Sequence, residues 1–277
     1  MSDVLVVIGI GGMGVAIARR LGPGRPVLLA DFDDTALHAA ADRLRGDGYD
    51  VYTQQVDVSD AEAVAALAAR AAELGPVTSL AHTAGLSPTQ ASAAAILGVD
   101  LAGVAHVLDE FGKIIAPGGA GVVIASMAGS LTAGALPAEM ETALARTPTA
   151  ELLDLPFLQE DAVPDAGVAY AFAKRGNQVR VQTASLAWGA RGARVNSISP
   201  GVISTPMGRQ ELAGDSGANM RAMIAGSGTG RVGTPADIAA AVAFLLGPEA
   251  SFITGTDLLV DGGVVAAVRS GSVQLGG

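Results

Sequence analysis

The 277-residue chain contains no cysteine, so disulfides, thiolate metal sites and cysteine nucleophiles are excluded together. Histidine is scarce: His38, His82 and His106 are the three, and their spacing matches no metal-binding helix motif. Basic residues are also in short supply, 17 Lys and Arg against 27 Asp and Glu, for a net charge of −10. That balance argues against nucleic acid and against an anionic membrane surface as partners, since both are held through basic patches. No uninterrupted apolar run approaches the roughly 18 residues of a membrane span. The start, MSDVLVVIGIGG, lacks a basic leader and passes at once into a strand pattern, which is not how a signal peptide reads. A soluble, cytoplasmic protein is expected. What is present is a chain that is half apolar and only 16% charged, enough to bury a sizeable core.

Short β-branched runs alternate with alanine-rich helical stretches. The runs are Val4–Ile8, Val27–Ala30, Val51–Val56, Val77–Ala81, Gly121–Ala125, Val195–Ser199 and Leu258–Val260. Between them lie Met13–Leu21, Thr35–Arg45, Ala61–Leu74, Ala91–Phe111, Val168–Gly189 and Pro235–Leu246. This alternation predicts right-handed βαβ crossovers and an α/β fold, a doubly wound parallel sheet covered on both faces. The continuously apolar strands agree with double coverage. Thr234-Pro-Ala-Asp237 reads as a capped helix start. No linker or repeat divides the chain, so residues 1–277 are expected to form a single domain.

Residues 131–169 break the rhythm. They carry Glu139, Glu141, Glu151, Asp154, Glu160, Asp161 and Asp165 against Arg146 alone. Leu136, Met140 and Leu144 suggest a short helix with one apolar stripe, and Thr147-Pro148 a second that stops before Pro156. The segment reads as a helical insertion. A second region, Val202–Gly230, rich in Gly and Met, reads as a candidate mobile substrate loop.

The first strand runs into Gly9-Ile-Gly11-Gly12-Met13-Gly14 and then a helix. Glycines there let backbone approach a pyrophosphate at the helix N-terminus. The same residues also suit an ordinary tight turn, but the next strand ends in Asp31, placed to accept the ribose hydroxyls of a dinucleotide. Asp31, followed by Asp33 and Asp34, repels a 2′-phosphate, so NAD is expected over NADP; Arg25 is the sole nearby base. Further on, Tyr170 and Lys174 stand at i and i+4 on one helix face. A phenol with a pKa of about 10 is a poor base at neutral pH, but an adjacent ammonium lowers that value and makes it usable. Ser126 ends a central strand, where its hydroxyl can meet a substrate oxygen.

In this order the residues resemble the short-chain dehydrogenase/reductase family, and the likeness covers nearly the whole chain. Ser126-Met-Ala-Gly129 resembles the family's serine motif, and Tyr170-xxx-Lys174 its tyrosine–lysine motif. Val56-Asp57-Val58 is similar to the adenine-contacting segment, Ala84-Gly85 to the end of Asn-Asn-Ala-Gly, and Arg194-Val-Asn196-Ser-Ile-Ser-Pro200-Gly201 with Val202-Ile-Ser-Thr205 to the segments that hold nicotinamide. Gly230-Arg-Val-Gly-Thr-Pro-Ala-Asp-Ile238 and Val260-Asp-Gly-Gly263 are similar to the last helix and strand.

The resemblance implies a Rossmann-type fold, NAD as cofactor, and hydride transfer between it and a small secondary alcohol or ketone. It assigns Tyr170 as general acid/base, Lys174 to the ribose hydroxyls and Ser126 to the substrate oxygen. Cofactor contacts are implied at Gly9, Gly11, Gly12, Met13, Gly14, Asp31, Asp57, Val58, Ala84, Gly85, Tyr170, Lys174, Pro200, Gly201, Val202 and Thr205. A homo-oligomer, dimer or tetramer, is implied as well.

Four departures stand out. The glycine loop is one residue shorter than the family's usual form. His82-Thr83 replaces the Asn pair, and a structural pairing of His82 with neighbouring backbone is expected. Asp100 occupies the place of the catalytic tetrad's asparagine, from which it either leaves the relay intact or pairs with Lys174. The insertion resembles that of hydroxysteroid dehydrogenase/carbonyl reductase-like members and is expected to wall the substrate pocket, alter the oligomer, or both; its acidity argues against a coenzyme A thioester. Met207, Leu212, Met220, Met223 and Ile224 suit either an apolar substrate or plain anchoring of their loop. Two alternative functions remain beside the dehydrogenase: the same fold acting on an acyl-thioester or steroid-like carbonyl, and a catalytically silent NAD-binding regulator.

Overall fold

Aliphatic runs form the strands β1 (Val4–Ile8), β2 (Val27–Asp31), β3 (Val51–Gln55), β4 (Val77–His82), β5 (Ile115–Ile124), β6 (Arg194–Pro200) and β7 (Asp257–Val260). In the computed structural model, which describes residues 3–89, 91–214 and 217–273, they make one sheet in the order β3-β2-β1-β4-β5-β6-β7. Every pairing is parallel. The helices are α1 (Gly12–Leu21), α2 (Asp34–Gly46), α3 (Ala61–Leu74), α4 (Ala93–Ile96), α5 (Gly103–Ile114), α6 (Met127–Thr132), α7 (Ala138–Arg146), α8 (Ala166–Ala190), α9 (Pro206–Ala213), α10 (Gly217–Gly226), α11 (Pro235–Leu246) and α12 (Val264–Arg269). This is a Rossmann-type α/β fold.

Alternation along β1 shows why the strands are apolar throughout. Val4, Val6 and Ile8 join the core beneath α3, α5 and α8, with Leu67, Phe111 and Trp188. Leu5 and Val7 join the opposite core, with Ile17, Leu37 and Val242 from α1, α2 and α11. Side chains of a strand point to opposite faces in turn, so a strand covered on both faces needs apolar residues at every position. The expected start of α11 is present as a capping box: Asp237 N–H donates to Thr234 Oγ1 and Thr234 N–H to Asp237 Oδ2.

Three regions differ from the sequence reading. β5 begins at Ile115 rather than Gly121, because a Pro117-Gly118-Gly119 irregularity shifts the β4–β5 register from Val77/Ile115 to Ser79/Ala120. The stretch predicted as one helix from Ala91 is interrupted by a π-helical segment, Leu97–Ala102, between α4 and α5. Val202–Gly230, predicted as a loop, carries α9 and α10; Thr205 caps α9 by accepting the Gly208 N–H, with Pro206 at the first turn.

The insertion forms α7 and a 3-10 turn, Thr149–Asp154. Of the expected stripe only Leu144 is buried; it packs with Leu152, Leu158 and Val163 against Ala169 and Ala173 of α8. Arg175 of α8 grips Glu141 through two bonds of 2.7 and 2.9 Å. Arg180 donates to the carbonyls of Leu144 and Thr147, both at 3.0 Å. The insertion therefore lies on the side of α8 turned away from the sheet. Among the described residues no helix is long and apolar enough to cross a membrane.

Candidate active site

Strand order reverses between β1 and β4, so their following loops diverge and open a crevice at the carboxyl edge of the sheet. The loop after β1 is built on close approach. Gly9 adopts φ +87°, and a Cβ there would overlap the Ala84 backbone; one on Gly14 would overlap the Gly9 carbonyl oxygen. Thr83 Oγ1 donates to that same carbonyl at 2.7 Å. Gly11 differs from both: a Cβ on it would meet nothing within 4 Å. Its smallness is not needed by the protein's own packing. Gly11 is also the N-cap of α1 and offers no side-chain cap. Free N–H groups beside open space at a helix N-terminus fit a pyrophosphate.

A cavity of about 680 Å³ extends from this loop. Gly9, Gly11, Gly12, Met13, Asp31, Asp57, Val58, Ala84, Gly85 and Thr205, all predicted, line it. Gly14 does not, and serves instead to let α1 pack on the loop. The Asp31 carboxylate accepts the Ile10 N–H at 2.7 Å and the Asp33 N–H at 3.0 Å, one on each oxygen. A carboxylate has about four acceptor sites, so two hydroxyls can still be received. Asp57 accepts from Ser59 N–H and Oγ. Among the described residues no Lys or Arg lines this cavity. Arg25, the base noted in the sequence, bonds the Leu21 carbonyl and Ser79 Oγ at the other end of the strands.

A second cavity, about 270 Å³, shares Met13, Thr83, Gly85, Leu86, Thr205 and Met207 with the first and holds Ser126, Tyr170, Lys174, Pro200, Gly201 and Val202. Ser126 is delivered by the end of β5 and the start of α6; its Oγ accepts the Ala128 N–H at 3.2 Å. Gly129 lets α6 seat directly on α8, since a Cβ there would strike the Lys174 carbonyl. That contact brings Ser126 within hydrogen-bonding reach of the Tyr170 hydroxyl. One turn on, Lys174 Nζ stands 5.2 Å from the Tyr170 ring centre. The lowering of the Tyr170 phenol expected from its ammonium neighbour is outweighed: burial pushes it above its ordinary value, Lys174 pulls it down, Asp100 pushes it up, Ser126 pulls it down and Glu211 pushes it up.

Asp100 lies behind this cavity. It is wholly buried in the π-helical segment, accepts the Leu86 N–H at 2.7 Å, and its other oxygen is 3.0 Å from Lys174 Nζ. Of the two outcomes foreseen from the sequence, pairing with Lys174 is the one formed. Burial pushes the Asp100 carboxyl up, against the pull of Lys174 and the Leu86 N–H, while Asp100 and Tyr170 hold the Lys174 ammonium up against burial. Gly85 is required beside them, because a Cβ would press on Asp100 Oδ2 at 3.0 Å and Lys174 Nζ at 3.3 Å.

Two expectations are corrected. His82 is buried, but neither ring nitrogen finds a protein partner. β4 is flanked by β1 and β5, so nearby backbone groups are consumed by the sheet ladder. Burial, with the charge on Lys174, holds the imidazole down at about 3, so it is neutral. No residue of the insertion lines the second cavity. Its apolar residues are spent on α8 instead of a pocket wall. The apolar residues singled out after Thr205 divide as well: Met207 lines the cavity, Met220 lines it and also packs on the cluster behind, and Met223 belongs to that cluster with Val264 and Ala267.

Glu211 was missed. It stands on α9 and lines the same cavity as Tyr170. Burial raises its carboxyl and the Ser87 hydroxyl lowers it. No sequence motif surrounds it; the available signal was an acid among methionines in a segment already suspected of meeting substrate.

The chain matches the family described as short chain dehydrogenase over residues 3–138 and the one described as Enoyl-(Acyl carrier protein) reductase over residues 138–265. It is 46% identical over 272 residues to a short-chain dehydrogenase/reductase, bsc3, of Alternaria brassicicola, covering 96% of each chain. It is 31% identical over 268 residues to the D-threitol dehydrogenase of Mycolicibacterium smegmatis, covering 94% of this chain and 91% of that one. Among solved structures it resembles the NADH complex of the 3-alpha-hydroxysteroid dehydrogenase from Pseudomonas sp. B-0831, with a TM-score of 0.78, 27% identity, and coverage of 97% and 99%. With dehydrogenases and reductases as its relatives, a chain of this Rossmann-type fold is an oxidoreductase. The chain belongs to the short-chain dehydrogenase/reductase family.

Proposed function

We propose that the protein is an NAD-dependent dehydrogenase that interconverts a secondary alcohol and a ketone, with Tyr170 as the general acid/base. The observation that carries this reading is the grouping of Ser126, Tyr170 and Lys174 on a cavity that continues into the one fitting a dinucleotide. In the oxidative direction Ser126 Oγ and the Tyr170 oxygen hold the substrate hydroxyl, and the Tyr170 phenolate takes its proton. The ammonium of Lys174 favours that phenolate. Reduction uses the same groups, with Tyr170 donating its proton to the carbonyl oxygen. Bound NAD supplies the hydride acceptor, and its reduced form the donor. Gly11 and the start of α1 would hold the pyrophosphate, Asp31 the adenosine ribose, Asp57 and Val58 the adenine side, and Pro200 to Thr205 the nicotinamide side.

Asp31 on the cavity wall, the lack of a lining base, and the remote position of Arg25 support NAD over NADP. The relatives named for D-threitol and 3-alpha-hydroxysteroid dehydrogenation support an alcohol as the group oxidised. Exposed Leu186, Phe244 and Phe252 support association of copies. The test is titration with each dinucleotide, followed by a spectrophotometric panel of secondary alcohols and ketones. Tyr170→Phe should retain NAD binding and lose about 10²–10⁴-fold in turnover, the usual contribution of a positioned acid/base. Turnover retained in that variant overturns the reading.

A further inference from the structure

The substrate cavity has a second polar end, which makes no bond to the acid/base and reaches it only through the Glu211 charge that helps to raise Tyr170. Its wall is largely apolar, with Leu86, Pro88, Met127, Ile203 and Met220, yet Glu211 and Thr89 also line it. Ser87, buried behind them, links the two: its hydroxyl stabilises the Glu211 carboxylate, and its oxygen lies 2.9 Å from Thr89 Oγ1. With Glu211 ionised, against the burial that raises its carboxyl, counting protons fixes the polarity of this end. Ser87 has one hydroxyl proton, and an ionised carboxylate can only accept, so that proton goes to Glu211. The Ser87–Thr89 bond must then use the proton of Thr89. Among the described residues at this end, Thr89 and an ionised Glu211 are left presenting lone pairs to the cavity and no donor. A carboxylate partly withdrawn from water in an apolar wall is costly unless something donates to it.

We propose that Glu211, backed by Ser87 and Thr89, is a specificity-determining residue that binds a second hydrogen-bond-donating group of the substrate, a hydroxyl or an ammonium, distinct from the oxygen that reacts. The substrate class is thus a diol, hydroxyketone or amino alcohol with a mainly apolar body. This rests on the proposed alcohol–ketone chemistry for the reacting end only. A simple apolar ketone leaves the acceptors facing hydrocarbon, and a carboxylated substrate is repelled. The site thereby discriminates in the way polar pockets do, by leaving its own groups unpaired when the wrong compound enters.

The probes are cyclohexanol, the 1,2-, 1,3- and 1,4-cyclohexanediols, and trans-4-aminocyclohexanol. Affinities for the NADH-loaded protein are read by ligand-observed NMR, and kcat/KM with NAD in parallel, for the wild type, Glu211→Gln and Glu211→Leu. We expect the wild type to favour at least one second-donor compound over cyclohexanol by tenfold or more, and Glu211→Leu to erase that ratio. An aminocyclohexanol preference lost equally in Glu211→Gln identifies the donor as an ammonium. A diol preference partly kept in Glu211→Gln identifies it as a hydroxyl. A wild type that binds with this preference but turns over none of the probes removes the proposed reaction and leaves the inference standing. Ratios in Glu211→Leu equal to those of the wild type for every probe, or no preference in the wild type, overturn it.

Discussion

Lys174 Nζ and Asp100 Oδ2 are 3.0 Å apart, on side chains that are 6% and 0% exposed. The ammonium beside Tyr170 is therefore half of a buried ion pair, and the phenol responds to both charges. Lys174 favours the phenolate and Asp100 opposes it. Removing the carboxylate charge in Asp100→Asn should let Tyr170 ionise at lower pH. Oxidation needs the phenolate, so the rising limb of its pH–rate profile should move to lower pH. A limb that stays in place or moves up contradicts the coupling.

The same variant leaves a buried ammonium without a counter-charge. Breaking one side of such a pair costs about 3–5 kcal/mol. Asp100→Asn should lower the thermal midpoint markedly, whereas Asp57→Asn, on a cavity rim, should not. Equal midpoints for the two variants would falsify this ranking.

Variants at Gly11 and Gly14 should separate cofactor binding from folding. Gly11→Ala adds a methyl group into space the protein leaves open, while Gly14→Ala drives one into the Gly9 carbonyl oxygen. Gly11→Ala should melt within about 1 kcal/mol of the wild type, the scale of a cap change, and bind NAD at least tenfold more weakly. Gly14→Ala should lose stability before any dinucleotide is added. Calorimetric titration and melting curves of the two proteins check the pattern.

His82 gives stability a pH dependence of known sign. Its ordinary value is 6.5, and in the folded chain it is held at about 3. The unfolded chain takes up a proton as pH falls below 6.5, while the folded chain resists until near 3. Linkage then requires stability from this group to be full above pH 6.5 and to fall progressively as the pH drops towards 3. His82→Gln, which cannot titrate, should show a shallower acid slope in denaturant melts. Matching slopes in the two proteins count against the shifted imidazole.

Arg180 anchors the insertion by its bonds to the carbonyls of Leu144 and Thr147. Arg180→Ala leaves those carbonyls unpaired, at about 1–3 kcal/mol each. Hydrogen exchange should quicken across residues 138–158 while β1 and β4 stay protected. Uniform quickening through the sheet would show that the insertion is not a separately held layer.

The strands were legible because a sheet covered on both faces demands apolar residues at every position, and β1, β2 and β4 match their predicted runs to within a residue. β5 was read late because Pro117 and two glycines interrupt the apolar signal, although the chain still pairs through them. The π segment around Asp100 left no trace in periodicity, since a single wide turn displaces side chains without changing composition. Gly and Met between Val202 and Gly230 suggested a loop, yet the Thr205–Pro206 cap starts a helix there. Ser126, Tyr170 and Lys174 could be read from spacing because two share one helix and the third follows a strand by two residues. Glu211 could not, because its meaning comes from Ser87, which lies far away in sequence and reaches it only once α9 folds over the crevice.

The insertion bonds to α8 at Arg175 and Arg180, immediately beyond the turn that carries Tyr170 and Lys174. It acts as a splint on that helix. Changes within it would reach the proposed chemistry by tilting or loosening the rod on which Tyr170 and Lys174 are mounted, without lining the cavity those residues face. Variation in this segment among relatives would accordingly tune turnover and heat tolerance together, and leave the choice of substrate to the opposite side of the crevice.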